Sequence, residues 1–153
     1  MSEALLEINE TQENKFLTFA IGDDNYGLEI SYVDDIIGVQ TITEIPCQPH
    51  HMKGVINLRG QIIPVVDARI RFNKPERNYD DRTCIVVVTV EEIPIGLIVD
   101  RVLEVVDIEE EHIAEPPHME TGGQKYMKGI GQLHEQIVMI IDCYKLFVES
   151  DSI

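Results

Sequence analysis

Cys47, His50 and His51 form a Cys-x-x-His-His cluster, with sulfur and imidazole groups of the kind that hold zinc. A structural site needs a second ligand pair at matching spacing. None follows, so the cluster reads as a polar loop bracketed by Pro46 and Pro49. Cys143 follows Asp142 at a predicted helix start, where a thiol can be acidified. Its neighbours are apolar, which favours a buried structural cysteine. Asp67 and Asp142 each end an apolar run before a predicted helical turn. They could share acid–base work, but this is also the ordinary place for a helix N-cap. His112 and His118 lie in an acidic stretch and His134 lies at a turn, and all three read as solvated. The sequence contains no Gly-rich phosphate loop, no Gly-x-Ser-x-Gly elbow and no zincin His pair. These residues point to a binding module rather than an enzyme, with no cofactor and no metal expected.

The elements that must position these residues are organised by a repeat. Residues 52–72, MKGVINLRGQIIPVVDARIRF, are echoed 75 positions later by residues 127–147, MKGIGQLHEQIVMIIDCYKLF. Eight of the 21 aligned positions are identical, and four more exchange Val for Ile. Two copies are too few for a solenoid and indicate two related halves. Shared positions should maintain the fold, and differing ones, such as Arg59 against His134 and Gly60 against Glu135, should carry function.

Each half reads mainly as strand. FLTFAI (16–21) and YGLEI (26–30) flank the turn residues 22–25 and form a hairpin. Ser31 resembles an N-cap, and Ile30, Val33, Ile36 and Ile37 fall at helical spacing, which predicts a short helix ended by Gly38. VQTITEI (39–45) alternates and predicts a third strand. Strands at 53–58 and 61–67 are joined at Arg59-Gly60. Pro64, lacking an N–H, belongs at an edge or bulge. One helical turn is expected at 68–72, and the polar segment 73–82 connects the halves.

The second half repeats this order. CIVVVTV (84–90) turns at Glu91-Glu92 into IPIGLIVD (93–100), aligned with the first hairpin at an offset of 69. VLEVVDI (102–108) follows, then a loop over 109–124, the echo, and a C-terminal helix from Asp142 to about Glu149. Short strands with tight turns predict an all-β fold of two small barrels on a shared core. Runs apolar on both faces (62–66, 85–88 and 137–141) should lie near that core. The expected division is a mobile acidic tail over 1–14 and a domain over 15–150, with one barrel per half, roughly 15–75 and 83–150.

The chain has 153 residues, 44% of them hydrophobic, and a net charge of −16. That is enough for a core, and the charge argues against nucleic acid and anionic membrane surfaces. No apolar run approaches the roughly 20 residues that span a bilayer. The acidic start does not resemble a signal peptide. Three widely spaced cysteines imply no disulfide framework, so reduced thiols in the cytoplasm are expected.

At residues 53–72, KGVINLRGQIIPVVDARIRF, the sequence resembles the CheW family of chemotaxis coupling proteins. FLTFAIGDDNYGLEISYVDDIIG (16–38), IGLIVDRVLEVVDI (95–108) and the closing echo are similar to other parts of that family. The resemblance covers about residues 15–150. It implies two five-stranded SH3-like barrels and no catalytic activity. It also implies two partners, the cytoplasmic tips of transmembrane chemoreceptors and the regulatory domain of the CheA histidine kinase. The protein would be cytoplasmic, recruited to membrane receptor arrays, without inserting in the membrane. Carried onto this sequence, the receptor-binding residues are Arg59 of the Asn-Leu-Arg-Gly turn, Asp35 (where many members carry the longer Glu), Gly54, and the groove-facing Ile30 and Val33. Two further readings are a CheW-like module of a larger protein, and a small barrel enzyme using Asp67, Asp142 or the Cys47 cluster.

Overall fold

The computed structural model describes residues 14–46, 52–116 and 126–147. Among these residues, eleven strands form two sheets. The five-stranded sheet contains β3 (Val33–Gly38), β4 (Met52–Leu58), β5 (Gln61–Asp67), β6 (Cys84–Val90) and β7 (Ile93–Val99), in the order β3-β6-β7-β5-β4. The six-stranded sheet contains β1 (Lys15–Ile21), β2 (Asp24–Glu29), β8 (Arg101–Asp107), β9 (Ile113–Ala114), β10 (Met127–Leu133) and β11 (Gln136–Ile141), in the order β8-β1-β2-β11-β10-β9. Two short helices follow the repeated blocks, α1 (Ala68–Arg71) and α2 (Cys143–Phe147). The fold is all-β and built as two barrels, called here the first (β3–β7) and the second (β1, β2 and β8–β11).

The barrels do not coincide with the sequence halves. The hairpin β6–β7, from the second half, completes the first barrel, and β1–β2, from the first half, completes the second. The exchange is reciprocal and keeps the repeat register. Val65 faces Gly96 across the parallel β5–β7 contact, and the equivalent Ile140 faces Gly27 across β11–β2. Likewise Val33 faces Val88, and Val102 faces Phe19. The expected boundaries 15–75 and 83–150 therefore describe the repeat but not the barrels. Each hairpin buries its apolar faces against the other half's strands, which sequence similarity between the halves cannot reveal.

Alternation along the central strands explains the doubly apolar runs. Val86, Val88 and Val90 of β6 enter the central core with Leu97 and Val99 of β7 and Leu17, Phe19, Ile21 and Leu28 of the other sheet. The intervening Ile85 and Val87 line the first barrel with Ile56, Ile63, Val65 and Ile98. Phe16, Ile108, Val138 and Ile140 do the same in the second barrel. Successive side chains of a strand point to opposite faces, so a strand between two cores must be apolar throughout. Pro64 is not at an edge as expected, because β5 lies between β7 and β4; it faces Val55, whose backbone bonds go to Thr43, and lies just outside the parallel ladder that begins at Val65.

Two local expectations are corrected. The predicted helix over 30–38 is a single 3-10 turn, Ile30–Tyr32, followed by strand β3. Val33, Asp35 and Ile37 are half-buried while Asp34, Ile36 and Gly38 are exposed, a period of two imposed by pairing with β6. The predicted strand over 39–45 makes one bridge, Thr43 to Val55; Val39 and Ile42 still pack against the first barrel's interior. The C-terminal helix is described from Cys143 to Phe147, and its expected extension to Glu149 lies outside the described residues. The acidic tail before Asn14 and the loop residues 117–125 also lie outside them.

Candidate functional site

The β4–β5 turn sets the first part of the site. Leu58 pairs with Gln61, leaving Arg59 and Gly60 as its two central residues, with φ 52° and 85°. Positive φ at both positions is the type I′ pattern that matches strand twist and favours Asn-Gly or Gly-Gly. An L-residue there costs roughly 1–2 kcal/mol. Arginine is thus kept where a smaller residue would be easier, a departure that points toward function. Its side chain is 75% exposed and supports no core. Asn57 Oδ1 accepts the Gly60 N–H at 2.9 Å and closes the turn.

The second part comes from β3. The β3–β6 register shifts between Val33 and Asp35. Asp35 Oδ1 accepts the N–H of Ile36 at 2.9 Å, and its Oδ2 lies 3.0 Å from Arg59 Nη2. The shorter carboxylate reaches the guanidinium, so Arg59 and Asp35 do form the ion pair. An exposed pair of this kind stabilises a fold by about 0–1 kcal/mol, so it orients the guanidinium more than it holds the barrel.

The third part is the β6–β7 turn, where Glu91 and Glu92 have φ 50° and 69°. Both central positions again carry charged residues in the left-handed region. Asp34 accepts a hydrogen bond from the Thr89 hydroxyl on the same face. A shallow depression of about 250 Å³ lies between these elements, lined by Asp34, Asp35, Arg59, Thr89, Glu92 and Pro94 among others. It offers one fixed guanidinium among three carboxylates, without the enclosure of a small-molecule site.

The other residues expected at the site lie elsewhere. Ile30 and Val33 are half-buried and pack against the central core, not around the depression. Gly54 is buried in β4, with φ 148°; a Cβ there would lie 2.2 Å from the Thr43 carbonyl oxygen. It lets the segment at Thr43 pass close against β4. Asp34 stands, with Asp35, among the positions where the halves differ (Leu103-Glu104 in the second half); Thr89 and Glu92 have no such mark as site residues. The available signal was a Glu-Glu pair in a two-residue turn that normally favours Gly and Asn.

The groups considered for catalysis hold structure. Asp67 accepts the N–H groups of Arg69 and Ile70 at 2.9 and 3.4 Å and the Tyr79 hydroxyl at 2.7 Å. Asp142 accepts the Lys145 N–H at 3.1 Å. The two carboxylates cap separate helices. Cys143 is buried, and that burial, with Glu29 and Asp142 nearby, pushes its thiol up to about 12, so it stays protonated. His112 and His134 are exposed. No group of three or more potential metal ligands occurs among the described residues; Cys47, His50, His51 and His118 lie outside them.

One half-buried polar cluster was also missed. Asp100 takes a two-pronged hydrogen bond from Arg69 (2.8 and 2.6 Å), the Gly22 N–H at 2.7 Å and Arg77 at 3.3 Å. Burial raises the Asp100 pKa, but these donors outweigh it and hold the carboxyl below its usual range. The cluster ties the β1–β2 turn, α1 and the connecting segment to the start of β8. Its members are far apart in sequence, so spacing could not reveal it.

The model of the CheW-like domain family matches residues 15–151. The chain is 35% identical to the chemotaxis protein CheW of Klebsiella aerogenes, over 90% of this chain and 83% of that protein. It is 31% identical to the chemotaxis protein CheW of Treponema pallidum, over 93% of this chain and 86% of that protein. The crystal structure of the scaffolding protein TtCheW from Thermoanaerobacter tengcongensis superposes with a TM-score of 0.83 at 36% identity, covering 88% of this chain and 92% of that one.

Proposed function

The chain belongs to the CheW family, and from that premise we propose that its Arg59 face binds the cytoplasmic tip of a chemoreceptor while a barrel end meets the regulatory domain of the CheA histidine kinase. It is a non-enzymatic coupling scaffold of chemotaxis signal transduction. Residues 15–150 act as the coupling unit. The protein works in the cytoplasm, recruited to membrane receptor arrays; no helix among the described residues is long and apolar enough to cross a membrane.

The observation that carries this reading is the state of Arg59: left-handed, exposed, and fixed by Asp35 at 3.0 Å. Arginine is over-represented among interface anchors because one planar group offers several donors and a stacking face. Pre-fixing it reduces the ordering that binding must impose. Ile62 and Ile137, at equivalent repeat positions and 60% and 61% exposed, give each barrel an apolar group suited to a barrel-to-barrel kinase contact.

Receptor-stimulated kinase activity, titrated with the coupler, tests the reading. Arg59→Ala should need far more protein for the same stimulation while remaining folded. Normal stimulation by a well-folded Arg59→Ala protein would reduce Arg59 to a solvated turn residue and overturn the proposal.

A further inference from the structure

The Arg59-Gly60 turn is closed by a neighbour. Asn57 lies two residues earlier on β4, and its side-chain oxygen takes the N–H of Gly60, the residue after Arg59. Asn57 is itself exposed and faces the exposed Ile62 across the ladder, so neither barrel interior depends on it. Its one described side-chain contact is to the turn that carries the guanidinium.

The second copy of the repeat supplies the contrast. Gln132 stands where Asn57 does, one methylene longer, and His134-Glu135 replaces Arg59-Gly60. His134 has φ 55°, but Glu135 is not at positive φ. Among the described residues Gln132 makes no side-chain hydrogen bond to its turn. The closing bond therefore goes with the arginine and not with the shared fold.

We propose that Asn57 is a positioning residue for partner binding: by accepting the Gly60 N–H it fixes the two-residue turn, with Gly60 at φ 85°, from which the Arg59 guanidinium meets Asp35 and the partner. This deepens the reading of Arg59 as the receptor anchor and rests on it. Without the acceptor, the Gly60 N–H turns to water and the turn samples other conformers. The guanidinium then has to be ordered at the moment of binding, which weakens it.

The test titrates receptor-stimulated kinase activity with the full chain and its variants, alongside thermal unfolding. Asn57→Ala should raise the coupler concentration for half-maximal stimulation about twofold to tenfold, the factor expected for one lost hydrogen bond. Its melting temperature should match the parent's. Asn57→Asp keeps an acceptor at the same reach and should couple nearly normally. Asn57→Gln, the side chain of the echo, should behave like the alanine variant. In an Arg59→Ala background Asn57→Ala should have no further effect, because its role passes through Arg59. Normal coupling by Asn57→Ala while Arg59→Ala uncouples would sink this inference alone. So would an equal loss in both backgrounds, or an aspartate variant as impaired as alanine. Normal coupling by Arg59→Ala would overturn the site reading and this inference together.

Discussion

The turns Arg59-Gly60 and His134-Glu135 occupy the same place in two barrels whose frames agree closely. Both barrels contain the Met-Lys-Gly entry with a shifted register, between Met52 and Gly54 and between Met127 and Gly129. Both end the following strand in an aspartate that caps a short helix. Both accept a hairpin from the other half through a parallel contact. What differs is displayed at the turns. The first barrel presents a guanidinium fixed by a carboxylate, and the second an exposed imidazole beside a glutamate. Duplication preserved what closes a barrel and left the turn free to diverge. Function should therefore be sought where the copies disagree.

The largest expected effect tests the agreement. At Gly54 a Cβ would meet backbone, the Thr43 carbonyl at 2.2 Å, and φ is 148°. At Gly129 the nearest group is a side-chain methyl, Ile113 Cγ2 at 2.6 Å, with the Ala114 carbonyl oxygen at 3.1 Å. Gly54→Ala should destabilise by about 3 kcal/mol or more and Gly129→Ala by about 1 kcal/mol, because backbone yields less readily than a rotamer. Urea unfolding of the two variants measures this. Equal losses would mean that the two closures are equivalent.

Next in size is the difference at the turns. Arg59→Ala should weaken receptor coupling by about 1–4 kcal/mol, the range of an interface anchor. His134→Ala should leave coupling unchanged. Both should stay within about 0.5 kcal/mol of the parent in stability, as exposed substitutions do. A large loss from His134→Ala would show that both barrel ends carry the receptor contact.

The Asp100 cluster is asymmetric too, since Ser31 and Tyr144 stand at the repeat positions of Asp100 and Arg69. Asp100→Asn should cost about 1.5–3 kcal/mol at neutral pH, as for hydrogen bonds to a charged group. The sign with pH follows from the depressed pKa. A carboxylate held below its unfolded value of about 3.9 stabilises fully above that value, and loses the contribution as pH falls through the folded value. The parent should therefore lose stability below about pH 4, and Asp100→Asn should lose less over that interval. Urea midpoints from pH 7 to pH 2 decide it; parallel curves would remove Asp100 from the linkage.

How much of this was legible in the sequence follows from the range of each interaction. The strands of the repeat, the Asp67 and Asp142 caps and the connecting segment are local features, and each appears near its expected place. Residues 30–38 failed because Ile30, Val33 and Ile37 fit helical spacing, while β3 pairs with β6 some 50 residues away. The same distance hid the hairpin exchange and the Arg69–Asp100 pair. Divergence between the repeats marks Arg59, and the resemblance assigns Arg59 and Asp35 to one site; their 3.0 Å contact needs the fold. Ile30 and Val33 come to the groove through the resemblance; in the fold they lie in a 3-10 turn and at a strand start, half-buried, and pack against the central core.

The smallest effect sharpens the comparison most directly, by giving the first turn the residue of the second. Arg59→His should keep the backbone, since His134 adopts nearly the same φ in the echo. At pH 8 an unperturbed imidazole, with a pKa of about 6.5, is neutral and offers Asp35 no charge. Coupling should then fall as in Arg59→Ala. As pH drops toward 6 the ring gains a proton, and pairing with Asp35 favours that charged form and raises its pKa. The pair is thus fully formed well below the unperturbed pKa of about 6.5 and is lost as pH rises through the raised value. The recovery should be partial, about 0–1 kcal/mol, because an exposed ion pair contributes no more and imidazolium lacks the planar fork of arginine. Receptor-stimulated kinase activity of Arg59→His at pH 6 and pH 8, each normalised to the parent, reads it. Full activity at pH 8 would mean the turn needs no cation, and the two ends would then differ in something other than Arg59. No recovery at pH 6 would mean that charge alone is insufficient and the shape of the guanidinium carries the contact.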